Sequence, residues 1–304
     1  MNRPETDTSI FTRPVSGAAH RPARGFKAAI KALSGAVIRG ASHLCPANLL
    51  FRILLPVRRL EIRLRKMGSP LALQKGMDHL YYSLRPALVR TAFRGWILHV
   101  RLNDPFHYDL ILENHEPGVA EWLAQNVKPG MTIFDIGANI GSYTLFLAGL
   151  VREQGRVIAV EADPDVARIL ETNIQSNALR TVRPIHAAAY RECGEIQLGR
   201  AQASTGYSGL YYSKASEWIA VPAYSLDVLT EKLGLSKVDF VKVDVEGAEC
   251  DVLAGMDSLL RNHHPLLLIE LHPATMPQAL EIPERLRTYG YSVEFLTSTH
   301  VTAR

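Results

Sequence analysis

The chain has 304 residues, 47% hydrophobic and 21% charged, with a formal net charge of +4. This is ordinary for a soluble globular protein and enough for one large domain with an extension. Three cysteines (Cys45, Cys193, Cys250) with no CxxC pair argue against a disulfide framework or a structural zinc site, and point to a reducing compartment.

The charge is unevenly spread. Residues 1–94 hold 17 Lys+Arg and four acids, hence +13, and the rest hold 17 and 26, hence −9. A basic arm on an acidic body suggests either an anionic contact for the arm, with a membrane surface, nucleic acid or another protein, or a solvated leader. Residues 1–25 read as a disordered leader, with Pro, Gly, Ser and Thr among charges. Residues 26–94 read as a basic, mostly helical extension. Its clearest stretch is "LLFRILLPVRRLEIRLRKMG", an amphipathic helix suited either to a membrane face or to packing on the main domain. The most apolar run, Ala36–Pro56, is broken by Arg39, His43, Pro46 and Arg52, so it falls short of a membrane span. The expected location is cytoplasmic, with peripheral membrane contact through the basic region as an option. The oligomeric state stays open.

Residues 95–304 read as the main domain. Gly95–Asn103 and His107–Glu113 look like two short strands, and Pro117–Val127 like a helix with proline in its first turn. From Thr132 strand and helix alternate. "TIFDIG", Arg156–Glu161, "TVRPIHAAA", Val238–Asp244 and Pro265–His272 are strands, and "YSVEFLT" is the closing one. Helices lie between them, among them Pro164–Asn177, "SLDVLTEKLG", "AECDVLAG" and "ALEIPERLRTYG". Apolar strands each followed by a helix predict an α/β fold with a mostly parallel sheet covered on both faces. Gly194–Ser225 interrupts the series as a hairpin with a long loop. Its Tyr207, Tyr211, Tyr212 and Trp218 are candidates to stack on an acceptor ring.

Ligands of such a sheet sit beyond the carboxyl ends of its strands. The loop Gly137-Ala138-Asn139-Ile140-Gly141 follows the first strand and opens a helix. Its glycines allow a tight turn and close approach of a ligand. A nicotinamide-binding loop would read GxGxxG, and here the middle glycine is missing. Asp135, just before the loop, would repel a pyrophosphate but suits a ligand bearing an ammonium group. S-adenosylmethionine carries an amine, a carboxylate and a sulfonium, and no phosphate. Glu161 ends the second strand, 20 residues after Gly141, where an acid can accept both ribose hydroxyls. Together with the loop it favours the methyl donor.

The stretches "FDIGANIGSYTL", "GRVIAVEADPDVARILETN", "VDFVKVDVEGAECDVLAG" and "PLLLIELH" resemble the FkbM-type methyltransferases, of the S-adenosylmethionine-dependent class I, Rossmann-like fold. The resemblance runs over about Glu113–His272. It implies O-methylation of sugars, glycans, lipid-linked or other small acceptors. It implies that Asp135, Gly137, Ala138, Asn139 and Gly141 wall the methionine part, that Glu161 clamps the ribose with Asp163 beside the adenine, and that Ala187 and Ala188 meet the adenine edge. Asp244 and Glu246 then fall beside the methyl group.

Methyl transfer to an alcohol needs a base. Asp244, Glu246, Glu270 and His272, at the ends of the fourth and fifth strands, are the catalytic candidates. The same four make an oxygen-rich set, but their spacing demands no metal and none is assigned. His263 and His264 are expected at the surface, and Cys250 facing the core. The competing readings are an NAD-dependent oxidoreductase and a non-catalytic binding module of the same fold. A nucleic-acid methyltransferase is disfavoured by the acidic catalytic half.

Overall fold

The computed structural model describes residues 46–68, 81–82, 84, 87–112, 116–200, 209–211 and 215–304. The expected leader at 1–25 lies outside the described residues, as do Tyr207 and Tyr212.

Helix α1 (Ala47–Lys66) is followed by an antiparallel hairpin, β1 (Leu88–Phe93) and β2 (Trp96–Arg101). The hairpin turns through Arg94 and Gly95, both at positive φ (50° and 86°), as a two-residue turn that follows the strand twist requires. The boundary expected at residue 94 therefore falls inside a hairpin, and Leu88–Phe93 is strand where helix was expected. Residues 105–112 are also corrected. The apparent alternation of Tyr108 and Leu110 suggests a strand, yet Pro105–Leu112 is helix α2. Asp104 decides it, accepting a hydrogen bond from Phe106 N at 3.1 Å ahead of a proline at the first turn.

Helix α3 (Pro117–Asn126) leads into the alternating part. β3 (Thr132–Ile136), α4 (Ser142–Val151), β4 (Arg156–Glu161), α5 (Pro164–Ser176) and β5 (Val182–His186) come first. A small sheet follows: β6 (Ala188–Ala189), β7 (Gly194–Arg200) and β8 (Glu217–Tyr224), in the order β6-β8-β7. The expected third strand thus breaks at Ala187, and its last residues leave the main sheet to pair with β8. Then come α6 (Leu226–Lys232), β9 (Phe240–Val243), α7 (Glu249–Ala254), α8 (Asp257–Asn262), β10 (Leu266–Glu270), a 3₁₀ turn (Pro277–Glu281), α9 (Ile282–Thr288), β11 (Val293–Phe295) and β12 (His300–Ala303). The expected closing strand is only β11. The chain ends on β12, which inserts antiparallel between β11 and β10.

Among the described residues the main sheet has the order β11-β12-β10-β9-β3-β4-β5, with the pairs from β10 to β5 parallel. Alternate residues feed two cores. Phe134, Ile158, Val241 and Leu267 face a layer built on α6 to α9, through Leu229, Val252, Leu260 and Leu286. Ile133, Val157, Phe240 and Leu268 face Trp122, Leu147 and Leu170 on α3, α4 and α5. Covering both faces is why the strands read as nearly unbroken apolar runs. Helix α1 joins a third cluster, in which Phe51 and Leu54 meet Leu98, Tyr108, Leu145 and Ile169. Arg58 pins it, with Nε and Nη2 each 2.6 Å from an Asp109 oxygen on α2 and Nη1 2.8 Å from Glu61.

From β3 the chain runs outward through β4 and β5, then returns to β9 on the other side of β3. Between β3 and β9 the winding reverses, and the carboxyl ends of these two strands leave a crevice.

Candidate active site

The two strand ends touch at Gly137 and Asp244. Gly137 has φ +74°, and a Cβ there would lie 1.7 Å from the Asp244 carbonyl oxygen. Only glycine fits. The amides of Gly137 and Ala138 both donate to Val160 O at 3.0 Å, which folds the loop against β4. Asn139, at φ +51°, presents its amide to Glu161 Oε2 at 2.8 Å. Glu161 Oε1 accepts from Asp163 N at 2.8 Å. Burial outweighs these bonds and pushes the Glu161 carboxyl up to about 7.

Around this loop lies a cleft of about 950 Å³, its open mouth included. Gly137, Ala138, Asn139, Glu161, Ala187, Ala188, Asp244 and Glu246 line it. Gly141 does not. It closes the loop from behind, where a Cβ would lie 2.6 Å from Leu170 Cδ1. Asp163 caps α5 and is bound by Arg200 at 2.6 and 2.7 Å.

Asp135 lies below the floor and does not line the cleft. It is fully buried, accepts the Thr144 hydroxyl at 2.6 Å, and has its other oxygen 3.9 Å from Lys242 Nζ. Burial pushes its carboxyl above the usual range, against the pull of Lys242. The sequence signal for Lys242, which the motif reading does not use, is the one cation in the run "VDFVKVD". Lys242 pairs in register with Asp135, holds Asp244 Oδ2 at 3.0 Å, and lies 4.9 Å from the centre of the Tyr143 ring. Burial opposes its charge, but Asp244 and Asp135 outweigh it, so Lys242 stays protonated. Lys242 and His272 in turn hold the Asp244 carboxyl below its usual range despite burial.

Beyond Asp244 the backbone turns left-handed twice, at Glu246 (φ +52°) and Gly247 (φ +107°). A non-glycine residue held there stores strain of roughly 1–3 kcal/mol, a feature that gathers at functional sites. His272 meets this turn from the loop just past β10. Its Nδ1 is 2.6 Å from Glu249 Oε1, while Nε2 lies 3.6 Å from Glu246, 3.9 Å from Glu270 and 4.0 Å from Asp244. Burial opposes the imidazolium, but the Glu249 bond and the Glu246 and Asp244 charges win and push His272 up to about 9. Burial and the Asp244 charge raise Glu246 to about 7, and Glu270, also beside Glu116, to about 8. The structure thus brings the four expected residues together, but only Asp244 and Glu246 reach the cleft.

The last strand adds His300, which the sequence reading passed over. Its Nε2 is 3.3 Å from Glu116 and 3.6 Å from Glu270, and burial lowers its pKa. Glu116 also accepts the Tyr143 hydroxyl at 2.6 Å. The hairpin closes the other side. Gly209 bonds Gly199 in both directions, and Leu198 and Leu210 line the cleft. Tyr211 does not line it, donating instead to Asp251 at 2.6 Å, and Trp218 is 51% exposed over Gly199. His263 and His264 have structural partners, the Val238 amide and the Tyr291 ring. Cys250 packs against the core as expected.

Sheet order, switch-point cleft and an acid at the second strand end define a Rossmann-like methyltransferase of class I. The chain belongs to the FkbM methyltransferase family, whose domain matches residues 135–293. It is 27% identical over 163 residues to the hexuronic acid methyltransferase AglP of Haloferax volcanii, a match covering 54% of this chain and 65% of that one. It is 25% identical over 212 residues to the methyltransferase sdnD of Sordaria araneosa, covering 58% of this chain and 80% of that one. A crystal structure of the FkbM methyltransferase of Methylobacillus flagellatus superposes with a TM-score of 0.44 at 14% identity, over 67% of this chain and 54% of that one. The chain thus covers just under two thirds of AglP.

The family's cofactor is S-adenosylmethionine, and the cleft fits it. The charged groups of the lining are three carboxyls (Glu161, Asp244, Glu246) and one ammonium, Lys242, already engaged by Asp244. Such a lining suits a cationic ligand and repels a pyrophosphate. No cation of the described lining is left for a nicotinamide dinucleotide.

Proposed function

We propose that this chain transfers the methyl group of S-adenosylmethionine to a hydroxyl of a sugar, glycan, lipid-linked or other small acceptor. The observation that carries the reading is the meeting of strand ends at the switch point. Gly137 closes on Asp244 there with no room for a side chain, and the Glu161 carboxyl faces the same cleft. The hexuronic acid in the name of AglP supports a sugar acceptor.

When bound, the cofactor supplies an electrophilic methyl group. The rest is done by the chain. The Gly137–Gly141 loop and Glu161 hold the donor side, with Ala187 and Ala188 as the apolar wall. Alignment and exclusion of water carry much of the acceleration. Glu246 takes the acceptor's proton. It lines the cleft, and a carboxyl near 7 is matched to a base working at neutral pH. His272 is protonated at that pH, so it is not the base but a cation that steers Glu246. Asp244, fixed by Lys242, orients the acceptor hydroxyl.

Calorimetry on the full chain with S-adenosylmethionine and with NAD tests the donor. The expected result is binding of the first alone, and binding of NAD alone refutes the reading. Transfer of a labelled methyl group to hexuronic-acid-bearing glycans tests the acceptor class. Donor binding with no transfer to any hydroxyl acceptor in a cell extract would instead favour a binding module.

A further inference from the structure

Helix α1 has two working faces, and only one is used inside the protein. Leu50, Phe51, Leu54 and Ile62 are buried against the hairpin and α2. On the opposite side Leu49, Ile53, Leu60 and Met67 are 50%, 54%, 49% and 82% exposed. They account for four of the nine large apolar side chains exposed among the described residues. With the exposed Pro56 they recur at steps of three, four or seven, which places them on one stripe. The stripe runs about 27 Å at 1.5 Å per residue.

The charges along it have one sign. Arg52, Arg59 and Arg63 are exposed beside or within the stripe. The one acid of the helix, Glu61, is buried and faces inward to Arg58 and Arg65. An apolar stripe edged by arginines, on a helix already fixed to the protein, is the pattern of a helix lying in a bilayer interface. No described helix is long and apolar enough to cross a membrane. Residues 1–94 carry +13 and the remainder −9, so the part of the sequence that contains α1 has the charge an anionic surface attracts.

We propose that the outer face of α1 is the surface by which this chain lies on an anionic lipid bilayer. Apolar side chains enter the headgroup boundary and the arginines meet lipid phosphates. A second copy of the chain is a poorer occupant, because it would set Arg52, Arg59 and Arg63 against their own like. The Arg58–Asp109 pair ties the docked helix to α2, whose Phe106 and Leu110 line the cleft. The bilayer contact is therefore one helix away from the site. The proposal is independent of the reaction the cleft performs.

The test is co-sedimentation of the full chain with vesicles of phosphatidylcholine alone and of phosphatidylcholine mixed with phosphatidylglycerol. Binding is expected to the anionic vesicles and to weaken in high salt. The variant Arg52→Gln/Arg59→Gln/Arg63→Gln should bind roughly a hundredfold more weakly, at about fivefold per arginine. The variant Leu49→Ser/Ile53→Ser/Leu60→Ser should lose on the order of tenfold per residue. All six side chains are exposed, so both variants should melt at the parent's temperature, which circular dichroism checks. Equal binding to neutral vesicles, no vesicle binding, or undiminished binding by either folded variant overturns the proposal. So does a concentration-dependent dimer that only the stripe variants abolish, or retention by nucleic acid in place of vesicles.

Discussion

Glu249 Oε1 lies 2.6 Å from His272 Nδ1, on a side chain buried completely beneath the turn that carries Glu246. The same oxygen accepts from Gly247 N at 2.9 Å, so one carboxylate fixes both the imidazole and the backbone bearing the proposed base. Neither residue reaches the cleft. In the proposed mechanism they hold a positive charge behind Glu246.

This pair sets a pH dependence of stability. His272 is raised from an ordinary value near 6.5 to about 9 in the folded chain. Its contribution is therefore full below pH 6.5 and is lost as pH rises through about 9. It amounts to at most about 3 kcal/mol, and less after screening. Urea denaturation at pH 6, 7.5 and 9.5 should show the parent losing stability with pH more steeply than His272→Gln. Parallel profiles for the two proteins would remove His272 from the charge network.

The proposed base has a kinetic signature. With its carboxyl near 7, Glu246 must lose a proton before it can accept one, so kcat/KM should rise through pH 7. Glu246→Gln should lower kcat by about 10²–10⁴-fold and flatten that limb. Donor affinity measured by calorimetry should stay within a fewfold. An intact limb near pH 7 in the variant would move the base elsewhere, with Asp244 next in line.

Gly137 has a sharper test. Its added Cβ would meet the Asp244 carbonyl at 1.7 Å, and its φ of +74° disfavours any L side chain. Gly137→Ala must part β3 from β9 at the switch point. A loss of more than about 2 kcal/mol and of measurable donor binding is expected. Gly194→Ala is the control, since a Cβ there meets nothing within 4 Å. Equal melting temperatures for the two variants would contradict the close approach.

The loop side of the cleft, proposed above to hold the donor, was legible in the sequence because it is local. Gly137, Asn139 and Glu161 sit where strand ends and turn chemistry put them, and periodicity alone locates those ends. The side proposed for the acceptor was less legible because it is assembled across the sheet. His300 joins Glu116 and Glu270 only because β12 returns antiparallel beside β10. Asp135 shows the limit of motif reading. Its place before the loop is right, but its side chain is buried on Thr144 beside its register partner Lys242 and does not reach the cleft. Glu249 was hidden in a short helix, where an acid in the first turn looks like a dipole partner rather than a buried anchor. The error over residues 105–112 has a related cause, because an eight-residue helix offers too few turns for its period to outvote a chance alternation.

Lys242 is the residue on which both sides lean. It is buried between Asp244 at 3.0 Å and Asp135 at 3.9 Å, in the strand between β3 and β10. Removing it would leave two carboxylates facing each other across β3 and β9 with no cation between them. Breaking a buried pair in this way costs about 3–5 kcal/mol, because the remaining charge stays desolvated. Lys242→Met should therefore destabilise the chain by that order in urea denaturation. The double variant Lys242→Met/Asp135→Asn should recover part of the loss, since one of the two stranded charges is gone. Asp244 would still lack the group that holds its carboxyl low, so the double variant should regain stability without regaining transfer. Recovery of stability and activity together would mean that Lys242 serves only to neutralise Asp135.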